Sequence, residues 1–170
     1  MFATHSLLID FLAKAAETRP EAPAVRDAHH ALSYQALLMA AARIARTLRA
    51  CGVNPGDRVL LSCPNSVGFV VAYWGIVACG AVAVPINPGT PVAKLAFVLK
   101  DCTPAAVIGD PNSADTLRAA LAETGQATPL LSDALVTCIA AAQAGEVVET
   151  LPAPQVIDQD LATLIYTSGS

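Results

Sequence analysis

A chain of 170 residues that is 54% hydrophobic and 14% charged carries too much apolar surface to stay disordered. It is long enough to bury roughly 70% of the surface its unfolded form exposes. A net charge of −4 with no Lys/Arg cluster excludes a nucleic-acid stripe, and Arg43, Arg46 and Arg49, recurring every third residue, read as a solvated helix face. The charged share lies well below the usual ~25%, which implies that something outside these residues covers part of the surface.

In chain order, Leu7, Leu8, Phe11, Leu12 and Ala15 fall at helical spacing, predicting an amphipathic helix over 6–18 that Pro20 stops. The same stretch contains acidic residues and no plain apolar run, so it reads as a helix and not as a secretory leader. "PAVRDAHHALSY" reads as a short hairpin with Val25 and Leu32 in its arms and residues 27–30 in the turn. His29 and His30 are then exposed turn residues and not metal ligands. Ser33 is a fitting N-cap for a helix over 34–51, without the reciprocal capping box because Ala36 stands three residues on. Gly52 supplies the left-handed stop.

"VNPGDRVLLSC" is a turn and a strand, and Asn65 and Ser66 cap the next helix, over 65–79. Residues 59–93 carry no Asp, Glu, Lys or Arg, and "VGFVVAYWGIVACGAVAV" approaches the ~20 residues of a membrane span. We expect a buried globular segment instead. "AVAVPIN" alternates as a strand, and no basic residue flanks the run closely. The rhythm continues with helix "PVAKLAFVLKDC", strand "AAVIGD", helix "SADTLRAALAETG", strand "TPLLSD", an Ala-rich helix over 134–144, a Pro-bearing connector "ETLPAPQVIDQD" and strand "LATLIY". Strands alternating with helices predict an α/β fold, a doubly wound parallel sheet with helices on both faces. Ligands are then expected at the carboxyl ends of the strands. Five cysteines without CxxC spacing read mostly as small buried hydrophobes in a reducing, cytoplasmic setting.

The last strand runs into Thr167, Ser168, Gly169 and Ser170. Successive backbone N–H groups in tight conformations form an anion nest, glycine admits close approach, and the hydroxyls add uncharged donors. The lysine of the GxxxxGK[ST] pattern is absent. Taken alone, these four residues read first as a plain surface turn.

Three stretches in order shift that reading. "LIYTSGS" resembles the start of the phosphate loop of the adenylate-forming (AMP-binding) superfamily. "ACGAVAVPINP" resembles that family's AGAxxVPxNP segment. "PVAKLAFVLKDCTPAAVIGD" is similar to the helix and strand that follow. The resemblance covers the chain from about Pro23 on. It implies the N-terminal part of the large AMP-binding domain over 1–170, divided into a leading helix over 1–22 and an α/β subdomain over 23–170. The lysine-bearing end of the loop and the C-terminal remainder lie outside these residues.

The implied activity is that of an acyl-CoA synthetase, a carboxylate–CoA ligase. It activates a carboxylic acid with ATP and Mg2+ as an acyl-adenylate and passes it to coenzyme A. Thr167, Ser168, Gly169 and Ser170 would grip the β- and γ-phosphates. Tyr166 would anchor the loop to the sheet, or simply pack at the strand end. Asn87, where peptide-synthetase domains more often carry aspartate, leans towards the CoA ligases. The alternatives are a peptide-synthetase adenylation domain and a non-catalytic α/β binding module. With no catalytic or metal-ligating residue matched, the 170 residues alone are expected to be inactive, to span no membrane and to self-associate through exposed apolar surface.

Overall fold

The computed structural model describes residues 7–146 and 155–167. Helix α1 (Leu8–Thr18) buries Ile9, Leu12 and Ala16 on one stripe. Strands β1 (Pro23–Arg26) and β2 (Ala31–Ser33) form the expected hairpin, with Val25 opposite Leu32. Helix α2 (Tyr34–Ala50) is capped as expected by Ser33, whose Oγ accepts from the Ala36 N–H at 3.3 Å. It ends one residue early, and Gly52 (φ +86°) takes the left-handed conformation that lets the chain turn away.

Next come β3 (Arg58–Ser62), α3 (Val67–Cys79), β4 (Val82–Pro85), α4 (Val92–Cys102) and β5 (Ala106–Gly109). A 3-10 turn over Pro111–Ser113 leads into α5 (Ala114–Thr124), β6 (Leu130–Leu131) and α6 (Ala134–Gln143). Ser66 is the working cap of α3, its Oγ accepting from Phe69 N–H at 3.3 Å, so that helix starts at Val67 and not at Asn65. At 13 residues it is about 20 Å long. Among the described residues no helix is long and apolar enough to cross a membrane.

The main sheet is parallel, in the order β4-β3-β5-β6. Alternation sorts its residues onto two faces. Val59, Leu61, Ala83, Ala106 and Ile108 point into a core built with α1, α2, α3 and α6. Leu60, Val84 and Val107 point into a smaller core under α4 and α5. Crossovers to one side use one face and crossovers to the other side the opposite face, as right-handed βαβ units require. This is the doubly wound architecture the sequence rhythm predicts.

The strand expected at "LATLIY" is a correction. Residues 161–166 run parallel to β4 but form a single bridge, Ala83 to Thr163. Two bonds make it: Ala83 N–H donates to Ala162 C=O and Leu164 N–H donates to Ala83 C=O, both at 2.9 Å. The next rung would use the N–H of residue 85, and Pro85 has none. The rung before would use Ala81 N–H, which already donates to Ile76 C=O at the end of α3. The ladder is bounded on both sides.

One long-range bond joins the hairpin to the sheet domain. The Asp27 carboxylate accepts from Val67 N–H, at the start of α3, and from the His29 and His30 N–H groups, each at 2.8 Å. Those three donors hold its pKa down at about 2, below the ordinary 3.8. A carboxyl whose folded pKa is depressed contributes stability that is present at neutral pH and lost as pH falls from about 4 through about 2. We expect Asp27→Asn to flatten the stability profile across that window and to lower stability at pH 7. Urea midpoints at a series of pH values check this, and a variant profile parallel to wild type would contradict it.

Candidate functional site

The carboxyl ends of β3 and β4 and the first turn of α3 enclose an open groove of about 470 Å³, lined by Cys63, Pro64, Asn65, Phe69, Pro85, Ile86, Asn87 and Pro88. Proline and asparagine shape its rim: Asn87 Oδ1 accepts from Gly89 N–H at 2.8 Å and folds the β4 exit into a turn. Cys63, almost fully buried, is pushed up to about 12 by burial and by the Asp110 carboxylate, so its thiol is neutral and not a nucleophile. Burial likewise raises Cys79, Cys102 and Cys138. Four of the five cysteines are buried, as expected; Cys51, beside the α2 terminus, is exposed.

Residues 161–167 carry the loop that the sequence singles out. Their course parallel to β4 directs them towards this carboxyl edge. Thr167 is exposed; Ser168, Gly169 and Ser170 lie outside the described residues. Tyr166 packs at the end of this segment, its ring against the core under α4 and α5, and its hydroxyl donates to the Asp101 carboxylate of α4, a helix and not the sheet. Burial first, and then the Asp101 carboxylate, raise its pKa above the ordinary tyrosine value. On the other face of the sheet, the Tyr73 hydroxyl and Thr163 Oγ1 are hydrogen-bonded at 2.8 Å.

Sequence reasoning did not find Asp101, Tyr73 or Thr163. They lie 65 and 90 positions from their partners, and no local pattern marks a bond of that separation. Among the described residues no group of three or more His, Cys, Asp and Glu could hold a metal ion. His29 and His30 sit in the hairpin turn, as expected, with their backbone N–H groups directed to Asp27.

Comparison with known proteins fits this geometry. The family model for AMP-binding enzymes matches residues 12–170, and the chain belongs to that family. A long-chain-fatty-acid–CoA ligase, FadD13 of Mycobacterium tuberculosis, is 35% identical over 82% of this chain and 27% of its own length. Enterobactin synthase component F of Escherichia coli is also 35% identical, over 61% of this chain and 8% of its own. The chain thus spans only a minor part of these relatives. Among solved structures, VinN superposes with a TM-score of 0.82 at 34% identity, covering 97% of this chain and 43% of that one.

Proposed function

We propose that this chain is the N-terminal part of an enzyme that activates a carboxylic acid with ATP, forming an acyl-adenylate and pyrophosphate, and hands the acyl group to a thiol. The observation that carries the reading is the family match through residue 170; it is supported by the course of residues 161–166, bridged once to β4 and running parallel to it towards the carboxyl edge of a doubly wound sheet, where such folds bind ligands.

Within this reading Thr167, Ser168, Gly169 and Ser170 hold the β- and γ-phosphates, with hydroxyls and backbone N–H groups as uncharged donors. Bound ATP supplies the electrophilic phosphorus; these residues orient its leaving end. Such catalysis is mainly positioning and charge stabilisation. Coenzyme A as the accepting thiol is supported by the similarity to a fatty-acid–CoA ligase over 82% of the chain and by Asn87. A carrier-protein thiol, as in a peptide-synthetase adenylation domain, is supported equally by the relationship to enterobactin synthase component F. Five free cysteines are in keeping with a cytoplasmic setting.

The test is exchange of labelled pyrophosphate into ATP driven by a panel of fatty, aryl and amino acids. It is run on the 170-residue chain and on the longest polypeptide its reading frame encodes. We expect acid-dependent exchange from the longer polypeptide and none from the chain alone. Turnover by the 170 residues, or none by the longer polypeptide with any acid, would overturn the reading. Product trapping with coenzyme A then separates the two acceptors.

A further inference from the structure

Residues 161–166 hold to the sheet by one bridge, bounded by Pro85 on one side and by the α3 terminus on the other. A segment attached by two backbone bonds at an edge, with Leu161 and Ile165 more than two-thirds exposed, has little of its own to fix where Thr167 leaves. Two side-chain bonds grip it, one from each face of the sheet. Tyr73 of α3 reaches Thr163 from the larger core, and Asp101 of α4 takes the Tyr166 hydroxyl on the side of the smaller core.

We propose that Tyr73 and Asp101 are positioning residues for the phosphate-binding loop, clamping the segment that carries it between α3 and α4. The inference rests on the proposed function for what the loop holds, but the clamp itself does not. Tyr73 is suited to the task, because its ring is fixed by stacking on Phe69 (centroids 6.4 Å apart) and by an edge contact with Trp74. Its hydroxyl therefore arrives with little freedom left to lose. Asp101 is exposed on α4, and its Oδ2 accepts the Tyr166 hydroxyl across 65 positions of chain. Cys102 is the other titratable group beside the phenol. Its own pKa is raised by burial, so it stays neutral at pH 7 and leaves the acceptor role to Asp101.

The variants Tyr73→Phe and Tyr166→Phe keep the rings and delete only hydroxyls, and Asp101→Ala removes an exposed side chain from a helix without cost to helix propensity. Each is expected to speed hydrogen exchange about tenfold at the Leu164 amide, which donates to Ala83 C=O, in the 170-residue chain, leaving the Leu60 and Ile108 amides at wild-type rates. The Asp101→Ala/Tyr166→Phe double variant should be no faster than either single one. In Asp101→Ala the Tyr166 phenol should titrate part of the way back towards the ordinary tyrosine range, and Asp101→Glu should restore slow exchange. Unchanged exchange at the Leu164 amide in the single variants would overturn the clamp.

In the longer polypeptide, Asp101→Ala should raise KM for ATP about tenfold with kcat within about twofold, the pattern of lost ground-state positioning. An unaltered KM alongside accelerated exchange would overturn the positioning role. Absence of pyrophosphate exchange in the unsubstituted polypeptide would overturn the ligase reading and not the clamp, which the amide data decide alone.

Discussion

Replacing Gly75 by alanine is expected to destabilise the protein, although alanine is the better helix former. Gly75 lies inside α3 where it crosses α2. A Cβ there would fall 2.4 Å from Ile44 Cγ2, 2.5 Å from Ile44 Cβ and 3.1 Å from the Ala41 carbonyl oxygen. The intrinsic gain from glycine to alanine in a helix is about 1 kcal/mol. Against it stands overpacking of a rigid contact, typically about 1–3 kcal/mol and occasionally more. The contact has little give, because Ile44 is 1% exposed and β-branched, so its χ1 cannot swing aside freely. The two helices have to separate, and the larger core opens with them. With the cost at the upper end of that range and the helix gain set against it, we expect a net loss of about 2 kcal/mol. With a fall of about 2–4 °C per kcal/mol at this chain length, thermal melts will show it plainly. Adding Ile44→Ala should rescue only part of the loss, because the Cβ of residue 44 stays in place. A Gly75→Ala protein as stable as wild type would mean that α2 and α3 pack more loosely than these distances allow.

The second large effect is expected at the centre of the sheet. Leu60 is fully buried, on the middle strand β3, and points into the smaller core with Val84, Val107, Leu95, Leu99 and Leu117. Leu60→Ala opens a cavity at a site whose walls are two neighbouring strands and two helices, none free to collapse. Such truncations cost about 2–5 kcal/mol, the higher values where the cavity stays open. Set against a typical total of about 5–15 kcal/mol, this is a large share of the stability. The measurement is a urea titration, in which the midpoint should fall with the slope unchanged. A loss under about 1 kcal/mol would show that α4 closes onto the vacated space.

Residues whose role is set by near neighbours in the chain are legible from the sequence alone. Ser33 and Ser66 cap the helices they precede, Gly52 turns the chain, and the alternation of "AVAVPIN" marks the strand β4. The family resemblance locates the loop because its motif is contiguous. What is not legible depends on register. Pro85 is visible in the sequence, but its missing N–H matters only because the pairing of β3 with β4 points residues 83 and 85 outward. That is why "LATLIY", strand-like in composition, makes one bridge only. The Asp27 cap on α3 and the bonds at Tyr73 and Asp101 are hidden for a related reason: each joins groups that only the folded crossovers bring together.

The order β4-β3-β5-β6, with residues 161–166 outside β4, also describes an order of assembly. The middle strand is the first one synthesised. β4 then adds on one flank, β5 on the other, β6 beyond β5 and the last segment beyond β4. No strand has to be threaded between two already paired, so a chain emerging from the ribosome can extend its sheet outward at every step. On that path the loop-bearing segment docks after these four strands, onto an edge of β4 that is formed before it arrives.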